Sequence, residues 1–177
     1  LYQDKKNGQV IQLRKDDKEV TQVSAFDLNE LMNTGTDDAH HYTTVNSFRG
    51  WKRTSDSVFN YCSIFIDLDC HTDDEGKIDD AKKRTVEVLE MAYAAGELLA
   101  PTLITDTGRG FGIQYVLKRS IANVSRTVSQ RAFFKQVRKK MFEKYREILS
   151  QDSLAAQPDP SVLDDSRVCR IPGTYNA

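Results

Sequence analysis

From Tyr61 to Asp69 the chain alternates. Cys62, Ile64, Ile66 and Leu68 are all apolar, while the positions between them run Tyr61, Ser63, Phe65, Asp67 and Asp69, turning polar toward the C-terminal end. A period of two places these sets on opposite faces of a β-strand, one packed on a core and one carrying carboxylates at the strand end. Asp79-Asp80 then reads as the cap of a helix running to about Leu99, with Val86, Leu89, Met91 and Tyr93 as its apolar positions and Pro101 as its stop. Thr102 to Thr105 and Phe111 to Leu117 read as two strands joined as a hairpin through Asp106-Thr107-Gly108-Arg109-Gly110. A second helix is expected from about Ser125 to Gln151, where Phe134, Val137, Met141, Tyr145 and Ile148 recur at three- and four-residue spacing. A loop holding Pro158 and Pro160 leads to a last short strand, Arg167 to Ile171, closed by the turn signal Pro172-Gly173.

The order strand, helix, strand, strand, helix, strand is the split βαβ pattern of ferredoxin-like and RNA-recognition-motif folds. It predicts an α+β core over residues 61–177, with helices on one face of an antiparallel sheet and Asp67 and Asp69 on the other, open face. Ahead of it, β-like runs at Val10 to Leu13, Val20 to Val23 and His41 to Val45, with a short helix at Ala25 to Met32, predict an accessory αβ unit over residues 1–60. There is no internal repeat and no low-complexity segment.

Composition fits a packed domain: 177 residues, 39% hydrophobic and 29% charged. No apolar run approaches the length of a membrane span and no secretory signal opens the chain, so no membrane partner is expected. Cys62, Cys70 and Cys169 are too few and too scattered for a disulfide framework, which fits a reducing, cytoplasmic setting. Cys70-His71 has no second Cys or His pair at zinc spacing. The ends, Leu1-Tyr2-Gln3-Asp4 and Asn176-Ala177, read as cut points, and the chain is expected to be a piece of a longer protein.

The net charge of −1 is uninformative, but its distribution is not. Asp67 to Asp80 holds seven acidic residues and one lysine, whereas Arg119 to Arg146 holds nine basic residues and one acidic. A polyanion held through metal at one place and through basic side chains at another would use this arrangement.

Asp67-Leu68-Asp69 puts two carboxylates on one side of a strand, about 6.6 Å apart at the backbone. At an effective dielectric of about 20, two charges so spaced repel by about 2.5 kcal/mol, which a bridging cation would offset. Hard divalent ions take oxygen ligands, and magnesium is commonly held by one or two carboxylates plus substrate phosphates. Glycosyltransferases, toprim nucleases and haloacid-dehalogenase-type phosphatases also use Asp-x-Asp, although the phosphatases usually carry Thr or Val where this chain has His71. In Thr107-Gly108-Arg109-Gly110, two glycines let the backbone approach a phosphate while the guanidinium forks onto its oxygens. Gly112 and Gln114 follow on one strand face, with Phe111, Ile113, Tyr115 and Leu117 on the other. Asp159-Pro160-Ser161-Val162 precedes Asp164-Asp165-Ser166-Arg167, and Arg167 and Arg170 fall on opposite faces of a regular strand, so at most one points at the site.

Taken together these elements resemble the archaeo-eukaryotic primase superfamily, particularly the primase-polymerases of plasmids, phages and integrative elements. Ile64-Phe65-Ile66-Asp67-Leu68-Asp69 resembles the family's first motif, which supplies two metal-binding acids. Thr107-Gly108-Arg109-Gly110-Phe111-Gly112 resembles its second, a glycine-rich turn leading to a histidine on the incoming triphosphate. Asp159-Pro160-Ser161-Val162 resembles its third, the last metal-site acid. Arg167 to Asn176 is similar to the Arg-x-Pro-Gly-Thr-x-Asn signature of the mobile-element branch, and Thr43 to Phe48 resembles a strand preceding the first motif in replication proteins of Firmicute elements. The resemblance covers most of the chain from about residue 41.

It implies a DNA primase-polymerase, a nucleotidyltransferase that makes primers on single-stranded DNA from nucleoside triphosphates in replicating a mobile element. Asp67, Asp69 and Asp159 would hold magnesium or manganese, with Asp165 as the alternative third acid. Thr107, Gly108, Arg109, Gly110, Gln114 and Arg170 would bind the nucleotide. Arg131, Lys135, Arg138 and Lys139 would meet template phosphates, and a replicative helicase domain or partner is implied. One departure stands out: Gly112 takes the place of the histidine, with Gln114 the nearest polar substitute.

Two rivals carry different expectations. A rolling-circle initiator nuclease needs a His-x-His pair and a nucleophilic tyrosine on a helix; Tyr145 suits the second, whereas His40-His41 are adjacent. A catalytically inactive single-stranded-DNA-binding module is favoured by the missing histidine.

Overall fold

The computed structural model of the chain describes residues 9–14, 20–24, 39–49, 54–72, 74–122 and 128–170. The expected helix Ala25 to Met32 and the closing Pro172 to Asn176 lie outside the described residues. The protein is α+β, and every strand register that can be traced is antiparallel. The strands are β1 (Gln9–Arg14), β2 (Val20–Ser24), β3 (Ala39–Thr44), β4 (Ser47–Phe48), β5 (Val58–Asp69), β6 (Leu103–Asp106), β7 (Gly110–Ala122), β8 (Gln157–Pro158) and β9 (Val168–Arg170). The α-helices are α1 (Glu75–Ala94) and α2 (Val128–Leu149). Among the described residues no helix is long and apolar enough to cross a membrane.

The chain packs as two compact units that interleave in sequence. Residues 1–64, 116–131 and 164–177 form the first, and residues 65–115 and 132–163 the second. Two strands, β5 and β7, each contribute residues to both units.

In the first unit one sheet runs β2-β1-β3-β9. The strand expected to complete the βαβ core, β9, pairs here with β3, Tyr42 opposite Arg170 and Thr44 opposite Val168. Its interior is unusually polar. Asn46 accepts from the Cys62 N–H at 3.2 Å and donates to the Asp165 carbonyl at 3.0 Å, and the Ser63 hydroxyl donates to the Val45 carbonyl at 3.2 Å. Each of these side chains is at most 2% exposed, so their mutual bonds offset a desolvation cost that apolar packing would not incur.

In the second unit α1 starts four residues earlier than the pattern of acids suggested. Asp74 is the N-cap, its carboxylate accepting from the Gly76 N–H at 3.1 Å. The helix ends where Gly96 takes φ 71°, a conformation open to glycine at little cost. Its buried stripe is Ala81, Thr85, Leu89 and Ala92, while Val86 and Met91 face solvent. On α2 the fully packed positions are Phe134, Arg138, Phe142, Tyr145, Ile148 and Leu149. The hydroxyls of Tyr93, Tyr115 and Tyr145 meet at 2.7–2.8 Å, and Tyr115 donates onward to the Leu99 carbonyl at 2.7 Å, tying α1, β7 and α2 together. The larger sheet has the order β4-β5-β7-β6, with β8 also paired to β5.

Candidate functional site

Both faces of β5 are covered through most of its length, since Tyr61, Ser63 and Phe65 are as buried as the apolar set between them. At Asp67 and Asp69 the second face becomes half-exposed, as it also is at Phe59 near the other end of the strand. The carboxylates therefore lie at the C-terminal end of the strand, within reach of water.

Asp159 is brought to that end by pairing. β8 runs antiparallel to β5, with Leu68 opposite Pro158 and Asp69 opposite Gln157. The same register, continued by one residue, sets Asp159 against Asp67, and the Asp159 N–H donates to the Asp67 carbonyl at 2.9 Å. Directly opposed residues of an antiparallel pair share a face, with β-carbons about 4.5–5.5 Å apart. Asp159 also caps the 3-10 turn Pro160–Leu163, accepting from the Ser161 N–H at 2.8 Å and from the Ser161 hydroxyl.

Among the described residues, no three His, Cys, Asp or Glu side chains already converge as an ion cage. The donor chemistry nonetheless fits a hard divalent cation: three carboxylates on two paired strands, with no sulfur or imidazole among them. Asp165 is built into the first unit instead. It is 2% exposed, accepts from the Tyr61 hydroxyl at 3.1 Å and pairs with Arg131 at 3.8 Å. Burial and the Asp165 carboxylate push the Tyr61 hydroxyl up to about 12.

The β6–β7 hairpin turns tightly through Thr107, Gly108 and Arg109. The Thr107 N–H donates to the Gly110 carbonyl at 3.0 Å, and the Asp106 carboxylate accepts from the Gly108 N–H at 2.8 Å. Gly108 has φ 88°, the left-handed region that favours glycine. The turn lies against the end of β5, because the Cys70 N–H donates to the Arg109 carbonyl at 2.9 Å. Exposed Arg109 donates to the Thr72 carbonyl at 2.9 Å, which holds a guanidinium close beyond Asp69. Gln114 is half-exposed and Thr107 half-buried. A β-carbon on Gly112 would stand 2.9 Å from the Phe65 ring, so the space a larger residue needs there is filled by an aromatic side chain.

Lys82 of α1 anchors the hairpin, its ammonium 2.6 Å from Asp106 and over the Phe111 ring at 5.8 Å. Burial raises the Asp106 pKa, but the Lys82 bond and the Gly108 N–H outweigh it and hold the carboxyl below its ordinary value. A depressed folded-state pKa gives stability that is present above the unfolded value, about 3.9, and lost as pH falls through the folded one. Lys82→Met is therefore expected to reduce stability at neutral pH and to flatten its fall below about pH 4. Urea midpoints measured from pH 3 to 7 check this, and parallel profiles for the two proteins would contradict it.

The remaining candidates divide. Lys139 is exposed and bonded to Glu143 at 3.8 Å, Lys135 is half-buried, and Arg131 faces Asp165. Arg138 is 6% exposed, so it is withdrawn from any template-binding row. It occupies the packed stripe between Phe134 and Phe142, lies 5.8 Å from the Phe134 ring centre and donates to the Leu163 carbonyl at 2.6 Å. Arg170 belongs to the first unit, on β9 over the Tyr42 ring at 5.4 Å. Tyr145 is fully buried and bonded to two other tyrosines, and burial pushes its hydroxyl far above the ordinary range, which removes it as a nucleophile. Thr85 escapes a sequence reading because a threonine in a helix carries no pattern, yet its hydroxyl accepts from the Ala156 N–H at 2.7 Å. Comparison with family models, with curated proteins and with solved structures finds no match to the chain.

Proposed function

We propose that the chain is a metal-dependent nucleotidyltransferase of the primase-polymerase kind, acting on single-stranded DNA with nucleoside triphosphates. The observation that carries this reading is the pairing of Asp159 with Asp67, which adds a third carboxylate to the Asp67–Asp69 pair beside a glycine hairpin. The strand order β8-β5-β7-β6 with two helices supports an RNA-recognition-motif-like core of the primase type, with β8 rather than β9 as its fourth strand.

In this reading Asp67, Asp69 and Asp159 bind magnesium or manganese. When bound, such ions neutralise charge on the reacting phosphates and favour attack by a primer hydroxyl. Arg109 takes the triphosphate oxygens in a fork, and the Gly108–Gly110 backbone gives the phosphates room to approach. Gln114 stands on the carboxylate face where it can meet the sugar or base. Lys135, Lys139 and Arg131 contribute template affinity without reading sequence. A helicase domain or partner, replication of a mobile element and a cytoplasmic setting belong to the same proposal.

The test is incorporation of labelled nucleotides on single-stranded DNA, with manganese or magnesium and with chelator. Chelator-sensitive primer products are expected. A tyrosine-linked DNA fragment would overturn the reading in favour of a nuclease, against which the burial of Tyr145 already argues. DNA binding without incorporation would favour a second reading, an inactive replication module, for which the specific observation is Phe65 filling the space beside Gly112.

A further inference from the structure

The strand that delivers Asp159 is thin. β8 has two residues, and Pro158 has no N–H to give to the ladder. Further anchors for the segment come from the helices. Upstream, the Ala156 N–H donates to the Thr85 hydroxyl oxygen at 2.7 Å, and that hydroxyl donates in turn to the Ala81 carbonyl at 2.7 Å. Thr85 is fully buried, so its oxygen is fixed in place on α1. Just after Ala156, the Gln157 side chain donates to the Leu149 carbonyl at 3.1 Å and to the Ala155 carbonyl at 3.0 Å. Downstream, Arg138 of α2 donates to the Leu163 carbonyl at 2.6 Å, which closes the turn that Asp159 caps. Asp159 lies between these two anchors, three residues beyond one and four before the other.

We infer that Thr85 and Arg138 are positioning residues for Asp159, one from each helix, setting the third carboxylate against Asp67; this rests on the metal-site reading above. Thr85 holds the backbone of Ala156 and Arg138 that of Leu163, so both anchors grip the main chain on either side of Asp159. A purely structural bond at Thr85 would affect stability alone, whereas a positioning bond also sets metal affinity. Supporting groups behind metal ligands are typically worth about 10–100-fold in affinity.

The experiment is titration of the full chain with manganese, followed by electron paramagnetic resonance in the absence of nucleotide. It compares wild type, Asp159→Asn, Thr85→Val and Thr85→Ser, with circular dichroism confirming the fold of each. Thr85→Val keeps the shape and removes the hydroxyl, and is expected to weaken manganese binding about tenfold. Thr85→Ser, which restores the hydroxyl, should bind within about twofold of wild type, a margin far inside that effect. Should Thr85→Val fail to fold, Arg138→Gln carries the same expectation from the other anchor. Wild-type affinity in a folded Thr85→Val or Arg138→Gln chain overturns the positioning role alone, provided Asp159→Asn is weakened. No manganese binding by wild type, or no loss in Asp159→Asn, overturns the metal reading and the inference with it.

Discussion

Replacing Asp67 and Asp69 together by asparagine is expected to abolish metal-dependent primer synthesis while leaving the fold intact. The pair is half-exposed at the C-terminal end of β5, so isosteric neutral side chains leave the buried set of that strand in place. Charge stabilisation by bound metal is worth several kcal/mol at the transition state, and 1.36 kcal/mol is tenfold in rate, so the loss is at least about a thousandfold. A second readout does not depend on activity. A ligand that binds only the native state stabilises it by about 2.7 kcal/mol at a hundredfold excess over Kd. For a chain of this size that is a rise in Tm of about 5–10 °C. Wild type should show that rise with manganese and the double variant none. Undiminished incorporation by the double variant would sink the assignment of these acids, and an unchanged manganese shift would sink their role as ligands.

The site was legible in sequence to the extent that it is local. The alternation at 61–69, the Asp-x-Asp pair, the hairpin at Thr107–Gly110 and both long helices follow from periodicities and turn residues within a few positions of one another. Even β1, β2 and β3 fall where short β-like runs suggested. Partners across the chain were not legible. Nothing around Val168–Arg170 says that it pairs with β3, and a two-residue strand such as β8 is too short to carry a period. Pro158, which the sequence places only in a loop, is buried opposite Leu68 on β5 and serves as an apolar contact.

Side-chain roles were misread where charge masked a packing position. Arg138 falls at four-residue spacing between Phe134 and Phe142, on the very stripe that the apolar pattern traces, but its charge placed it in a surface row. The guanidinium can be buried there because an aromatic face and a carbonyl receive it. Asp79-Asp80 looked like a cap because acids favour helix starts, but capping needs the extended backbone that Asp74 adopts.

Gly110 carries the other large expected effect, since it couples the hairpin to the carboxylates through space rather than sequence. A β-carbon there would lie 1.8 Å from the Leu68 carbonyl oxygen, 2.9 Å from its carbon and 3.2 Å from the Asp69 α-carbon. All three atoms are backbone, so no side-chain rotation relieves the overlap. Either β7 withdraws from β5 or the Asp67–Asp69 segment moves. Overpacking typically costs about 1–3 kcal/mol, and a collision this deep against main chain belongs at or above the top of that range. Gly110→Ala is therefore expected to lose about 3 kcal/mol or more in urea unfolding, at the upper end of what overpacking costs. Gly112→Ala is the internal control. Its new methyl would meet the far edge of the Phe65 ring, at 2.9 and 3.2 Å, and the Thr107 methyl at an ordinary 3.8 Å, so a small ring displacement relieves it. The two alanines add the same atom to the same strand two residues apart, so the ordering of their costs isolates backbone approach as the cause. Equal losses, or a Gly110→Ala chain within about 1 kcal/mol of wild type, below the usual overpacking range, would refute that close approach. A Gly110→Ala chain that stays folded should also bind manganese more weakly, because the displaced backbone is the one that carries both aspartates.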